Sequence, residues 1–211
     1  MTKKAINIVW FKRDLRLVDN EALFHANQSD LPLLLIYVFE PSVMNYDDSD
    51  VRHWRFIYES IQDLNKKLAP FNAKIYFFHN EVKNVFTELI NKFEVKTVFS
   101  HQEIGNKVTY DRDLEMKSFF SSNEITWKEF QMHGVIRRLK SRQNWDKRWE
   151  QVMRDTPKNI KESELKTIEL DSEWYDTLKG DELPIEITTP NPNFQRGGEY
   201  WAWRYLDSFV K

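Results

Sequence analysis

The chain has 211 residues, with 31 Lys and Arg against 33 Asp and Glu, 41% hydrophobic residues and 15% aromatics. That length and balance suit one ordinary globular domain, or one plus an appendage, and exclude a disordered or fibrous chain. Cysteine is absent, which excludes disulfides, thiolate metal sites, Cys nucleophiles and cysteine-ligated iron–sulfur clusters.

None of the five glycines (105, 134, 180, 197 and 198) lies in the first hundred residues. The glycine-rich dinucleotide fingerprint and the Walker A loop both follow a first strand, so neither can be present there. The opening MTKKAINIVWF has too short an apolar run for a secretory signal. No stretch approaches the roughly 18 apolar residues of a membrane span. A soluble, cytoplasmic protein with no membrane partner is the expectation.

Strands and amphipathic helices alternate through residue 130. Residues 5–11 are a short Ile/Val-rich run, a buried first strand. Asp19 or Asn20 caps a helix with an Ala22, Leu23, Ala26 face. Residues 32–39 (PLLLIYVF) are continuously apolar, as in a strand covered on both faces. Val51, Trp54, Tyr58, Ile61, Leu64 and Leu68 follow one helix face. Residues 73–78 form a third strand, and Val82, Val85, Phe86, Leu89, Ile90 and Phe93 stripe the next helix. Residues 95–99 are a fourth strand, 107–121 a helix and 125–130 a fifth strand. The fold class is therefore α/β, a five-stranded doubly wound parallel sheet with helices on both faces. In such sheets ligands bind beyond the carboxyl ends of the strands at the switch point. Here that crevice lies beside strand 1, between strands 1 and 4. Loops 11–16 and 100–107 should face it.

After residue 130 the pattern breaks. Residues 132–158 carry eight basic and three acidic residues, and 159–186 carry three basic and nine acidic. Four of the seven prolines fall at or after Pro157, ending in P-N-P-N at 190–193, a linker signature. Asn144 can cap a helix whose stripe is Trp145, Trp149 and Val152. A last helix begins near Gly197–Gly198 with Tyr200, Trp201, Trp203, Tyr205, Leu206 and Phe209. The expected divisions are an α/β domain at 1–131, a basic helix and acidic linker at 132–193, and a further helix at 194–211.

The run Trp10-Phe11-Lys12-Arg13-Asp14-Leu15-Arg16-Leu17-Val18-Asp19-Asn20-Glu21-Ala22-Leu23 resembles the opening signature of the DNA photolyase/cryptochrome family. Val38-Phe39-Glu40-Pro41, Arg52-His53-Trp54 and Ser100-His101-Gln102-Glu103-Ile104-Gly105-Asn106 resemble the same family. Arg137-Arg138-Leu139-Lys140-Ser141-Arg142 with Asn144, Trp145 and Trp149 is similar to a bacterial subgroup. Phe194-Gln195-Arg196-Gly197-Gly198-Glu199-Tyr200-Trp201-Ala202 resembles the first helix of the family's FAD-binding domain.

The resemblance implies a Rossmann-like domain that holds an antenna pigment and passes excitation to FAD in a larger helical domain, where light-driven repair of damaged DNA takes place. By this reading the chain is a fragment, non-catalytic alone and monomeric. Its partners are its own FAD-binding domain and, through that domain, DNA. The alternative is a pigment-free docking domain of a blue-light-sensing cryptochrome.

Candidate pigment-binding residues are Phe11, Lys12, Arg13, Asp14, Arg16, Phe39, Glu40, Ser100, His101, Glu103 and Asn106. Arginine forks suit phosphate or carboxylate, and the two glutamates suit ring nitrogens or hydroxyls. His101 is taken as the only histidine at a crevice end. No two histidines stand three or four residues apart, so a helical metal site has no support. Folate-binding members of the family resemble one another in an Asn-Glu pair where this chain has Gly105-Asn106. That difference favours a deazaflavin or flavin nucleotide over folate. Lys12 stands where Arg is usual, keeping the charge but losing the bidentate fork. Trp10 and Trp54 are expected in the core or crevice wall, and Trp145 and Trp149 as packed residues. The basic segment 137–148 is expected to dock on the acidic linker or a following domain rather than on DNA.

Overall fold

The computed structural model describes residues 2–132, 134–137 and 139–211; Arg138 of the basic segment lies outside them. The strands β1 (Lys4–Phe11), β2 (Leu33–Phe39), β3 (Ile75–His79), β4 (Phe93–His101) and β5 (Thr126–Phe130) pair in parallel in the order β3-β2-β1-β4-β5. The order reverses between β1 and β4, so the switch point lies where the sequence puts it. Between the strands run α1 (Glu21–Asn27), the short α2 (Pro41–Met44), α3 (Val51–Leu68), α4 (Val82–Lys92) and α5 (Lys107–Ser122). Asn20 caps α1, its side-chain oxygen accepting the Leu23 N–H at 3.0 Å.

The fourth strand is longer than its apolar centre suggests. Phe93, read from its spacing as the end of a helix stripe, closes α4 and opens β4 with no loop between.

Alternation along β1 sends Ile6, Ile8 and Trp10 to one face and Val9 and Phe11 to the other. The first face packs on Val85, Phe86 and Leu89 of α4 and on Met116 and Phe120 of α5. The second packs on Ala22, Leu23 and Ala26 of α1 and on Ile61, Leu64 and Leu68 of α3. Full burial of each of the larger aliphatic and aromatic side chains contributes about 1.5–3 kcal/mol.

One irregularity interrupts the central pairing. Ile6 pairs with Val95 but Asn7 with Thr97, so β4 carries an extra residue, Lys96. Asn7 satisfies the disturbed backbone: its Oδ1 accepts the Thr97 N–H at 3.1 Å, and its Nδ2 donates to Ser29 Oγ at 2.8 Å.

The acidic stretch is tied to the sheet rather than loose. Ile168, Leu170 and Leu178 join the first core and Leu165 the second, with bridges at Leu33–Thr167 and His79–Gly180. It includes α7 (Ser172–Leu178) and leads to α8 (Ile185–Thr188), which packs on α3. The basic stretch holds α6 (Trp145–Met153). Asn144 precedes it in a left-handed conformation, φ 59°, and its side chain makes no capping bond. Contrary to the packed role expected of them, Trp145 and Trp149 are 40% and 42% exposed. None of the nine residues of α6 joins either core. The chain closes with α9 (Glu199–Val210).

Candidate functional site

A cleft of about 1250 Å³ opens beyond the carboxyl ends of β1 and β2. Its floor comes from the end of β1 and the following loop (Trp10, Phe11, Lys12, Arg13, Arg16), its walls from α3 (Arg52, His53, Trp54, Phe56, Ile57) and α5 (Thr109, Arg112). Phe194, Gln195, Gly198, Glu199, Ala202 and Trp203 close the remaining side. Hydrogen bonds to the loop after β1 and to α3 hold that closing segment. Glu199 accepts the Leu17 N–H at 3.1 Å and the Lys67 ammonium at 2.7 Å, and the Gly197 N–H donates to Glu59 at 2.8 Å.

Of the eleven residues expected from sequence, Phe11, Lys12, Arg13, Arg16, Glu40, Glu103 and Asn106 line the cleft. The other four lie beneath it. Asp14 and His101 form a buried pair, Nδ1 to Oδ2 at 2.5 Å. Ser100 accepts the Trp127 indole N–H at 3.0 Å. Phe39 is in the core against Tyr37, Trp54 and Phe77. Among the described residues the histidine that lines the cleft is His53, at the start of α3, with His101 beneath it.

A dense charge cluster underlies the floor. Lys12 continues the β1 alternation by one residue, which brings its ammonium 4.4 Å from the Trp10 ring and 5.0 Å from Trp127, with Asp113 at 3.0 Å. Burial lowers its pKa, Arg112 adds to the effect, and Asp113 opposes it. Arg112 donates to Glu40 at 2.5 Å and to Asp113 at 2.9 Å, and stands 3.6 Å from Glu103. Burial pushes the Glu40 carboxyl up, and the Arg112 guanidinium draws it back. Burial likewise pushes the Tyr37 hydroxyl up, so it stays a neutral phenol. Asp14 behaves oppositely. Burial alone would raise its carboxyl, but the His101 bond and charge and the Lys12 N–H hold it below the usual range.

Glu103 is a brace rather than a free acid. Its Oε1 accepts from Arg13 Nε at 2.8 Å and from the amides of Ile104 and Gly105 at 3.1 and 2.8 Å. Gly105 leaves room for this arrangement: a Cβ there would meet the Arg13 guanidinium and the Glu103 carboxylate, and these side chains would have to shift. Asn106 caps α5, accepting the Thr109 N–H at 3.2 Å and donating to Asp48 at 3.0 Å.

Sequence reasoning passed over Arg112 and Asp113, and gave Arg137 to the basic segment rather than to the cleft floor. Arg137 donates to the Glu103 carbonyl at 2.9 Å and Glu129 at 3.0 Å, and reaches Asp113 at 3.4 Å. A signal existed: Asp113 falls on the stripe Thr109, Met116, Phe120, and an acid on an apolar helix face asks for a buried partner. Among the described residues no group of His, Asp and Glu could hold a metal ion, and no helix is long and apolar enough to cross a membrane.

The profile of the DNA photolyase family matches residues 7–167. The chain belongs to that family. Cryptochrome DASH, chloroplastic/mitochondrial, from Arabidopsis thaliana is 28% identical over 106 residues, which are 47% of this chain and 19% of that protein. A bacterial class III photolyase from Agrobacterium tumefaciens superposes with TM-score 0.71 at 19% identity, covering 100% of this chain and 45% of its own. The archaeal photolyase from Sulfolobus tokodaii, described with two FAD molecules and a novel light-harvesting cofactor, superposes with TM-score 0.68 at 18% identity, covering 95% and 46%. The photolyase-family chain thus spans under half of each of these solved structures and matches about a fifth of the Arabidopsis protein.

Proposed function

We propose that the cleft holds an antenna pigment, a deazaflavin or flavin nucleotide, and that its excitation passes to FAD in a helical domain beginning with α9. The whole protein would then carry out light-driven DNA repair. On this reading 1–131 is the pigment domain, 132–193 an interdomain arm and 194–211 the start of the FAD domain. The observation that carries the reading is the cleft beyond the carboxyl ends of β1 and β2, with Glu103 and Asn106 of the loop after β4 on its rim, large enough for a nucleotide. Trp54, Phe56 and Trp203 offer flat walls for a ring system, and Arg13, Arg16 and Arg52 offer cations for a phosphate tail.

Folate fits less well. Glu103 Oε1 is engaged by Arg13 and two amides, and Asn106 is an amide, with no carboxylate for a pterin, already bonded to Thr109 and Asp48. The two FAD molecules of the Sulfolobus tokodaii photolyase support a flavin by analogy.

Titration with FMN, FAD, a deazaflavin nucleotide, methenyltetrahydrofolate and ATP tests the proposal. Flavin or deazaflavin should bind, and Trp54→Ala and Arg52→Ala should weaken binding. No binding to any of them would favour the second reading, a pigment-free docking domain. That reading draws on the internal pairing of Lys12, Arg112, Glu40 and Asp113, which leaves few polar groups of the floor open to a ligand.

A further inference from the structure

The basic arm is fixed at both ends and uncovered in the middle. At one end Arg137 is bolted to Glu103, Glu129 and Asp113. At the other, Asp19 Oδ1 accepts the Lys158 N–H at 3.1 Å, and the Asn20 N–H donates to the Lys158 carbonyl at 3.0 Å. Between these anchors α6 projects outward, and none of its nine residues is buried. Trp149 is seated on Gly134, where a Cβ would collide with the indole, and Trp145 lies against it with ring centroids 6.4 Å apart. The exposed indoles are thus held in position and are not free rotors.

Cations surround them. Arg154 and Lys158 are paired with Glu150 and Asp155. Among the described residues, Lys140, Arg142, Lys147 and Arg148 have no carboxylate within 4.0 Å. Among the described residues the acidic stretch 159–186 supplies no carboxylate to these four cations. Four unpaired cations on a chain of net charge −2 make this arm the place where a polyanion is drawn in.

We propose that α6 and its flanking basic residues form a nucleic-acid-binding surface, separate from the cleft, that grips an unpaired strand. The cations would contact phosphates, and Trp145 would offer a stacking face to a base. A positive track combined with exposed, oriented aromatic rings is the arrangement single strands require. An anionic membrane is the weaker fit. A helix lying in a bilayer surface buries a continuous apolar face about 5–10 Å deep, whereas α6 has nine residues, two of them the acids Asp146 and Glu150.

The test is fluorescence anisotropy of a labelled short oligo(dT) titrated with this chain at several salt concentrations. At about 0.7 per neutralised phosphate, four contacts predict a log–log salt slope near −3, or about 50-fold weaker binding over a fourfold rise in salt. Arg142→Gln with Arg148→Gln should roughly halve that slope. Trp145→Ala should weaken binding about tenfold and leave the slope unchanged. These positions are exposed, so circular dichroism of the variants should match the parent. The proposal is overturned if oligo(dT) fails to bind at low salt, if the variants bind like the parent, or if phosphatidylserine vesicles compete the chain away from the oligonucleotide.

Discussion

Replacing Arg112 with methionine removes the guanidinium from the centre of the buried cluster while keeping most of the side-chain volume. Arg112 is 12% exposed, with Glu40 (4%) at 2.5 Å and Asp113 (5%) at 2.9 Å. Losing one partner of a buried pair costs about 3–5 kcal/mol, because the other charge stays desolvated. Asp113 keeps Lys12 at 3.0 Å and Arg137 at 3.4 Å, whereas Arg112 is the only cation paired with Glu40 among the described residues. The cost therefore falls mainly on Glu40. Burial already raises the Glu40 carboxyl, with Arg112 the chief opposing charge, so the variant should raise it further. An acid whose folded pKa lies above its unfolded one favours folding where it is protonated. The variant should therefore gain stability as pH falls from neutral toward about 4.5. Urea denaturation across that range is the assay. Glu40→Gln combined with Arg112→Met should recover a good part of the loss at neutral pH. A single-variant cost below about 1 kcal/mol, or a double variant equal to the sum of the singles, would refute the assignment.

The Asp14–His101 pair has the opposite pH signature. The folded Asp14 carboxyl lies below the ordinary aspartate value of 3.8, so its contribution is complete above that pH and fades as pH falls through the folded value. Asp14→Asn should lower stability at neutral pH and flatten the acid limb of a pH–stability curve. Gly134→Ala places a Cβ on the Trp149 indole and should cost about 1–3 kcal/mol as an overpacking change, read by urea denaturation with tryptophan emission. Glu199→Ala removes the acceptor for the Leu17 and Val18 amides and the partner of Lys67. Hydrogen exchange at Leu17 and Val18 should speed up without loss of the sheet amides.

The fold was legible in the sequence where one element could be read alone. Five apolar runs separated by striped helices specify a doubly wound sheet, and Asn20 before Glu21 marks a helix start that the structure keeps. Phe93 misled because it satisfies both periods at once, last on the α4 stripe and first in β4. The cleft floor was half legible. Lys12, Arg13, Glu40 and Glu103 stand out at strand ends, but the residues that bind them together, Arg112 and Arg137, come from elements distant in sequence. Ion-pair partners leave no local period to read. The exposed indoles of α6 were misjudged for a related reason: a helix stripe reveals a face and says nothing of what covers it.

The extra residue in β4 has a consequence at the far end of the strand. Side chains alternate along a strand with period two, so Val95 and Val98, three apart, belong on opposite faces of the sheet. Both lie in the same core, with Phe99 in the other, because Lys96 resets the parity between them. Without that reset, every side chain downstream would change sides. Ser100 would leave Trp127, and His101 would turn away from Asp14. The chemistry beneath the cleft therefore depends on an odd-numbered step, bracketed by Asn7, made before the strand reaches it.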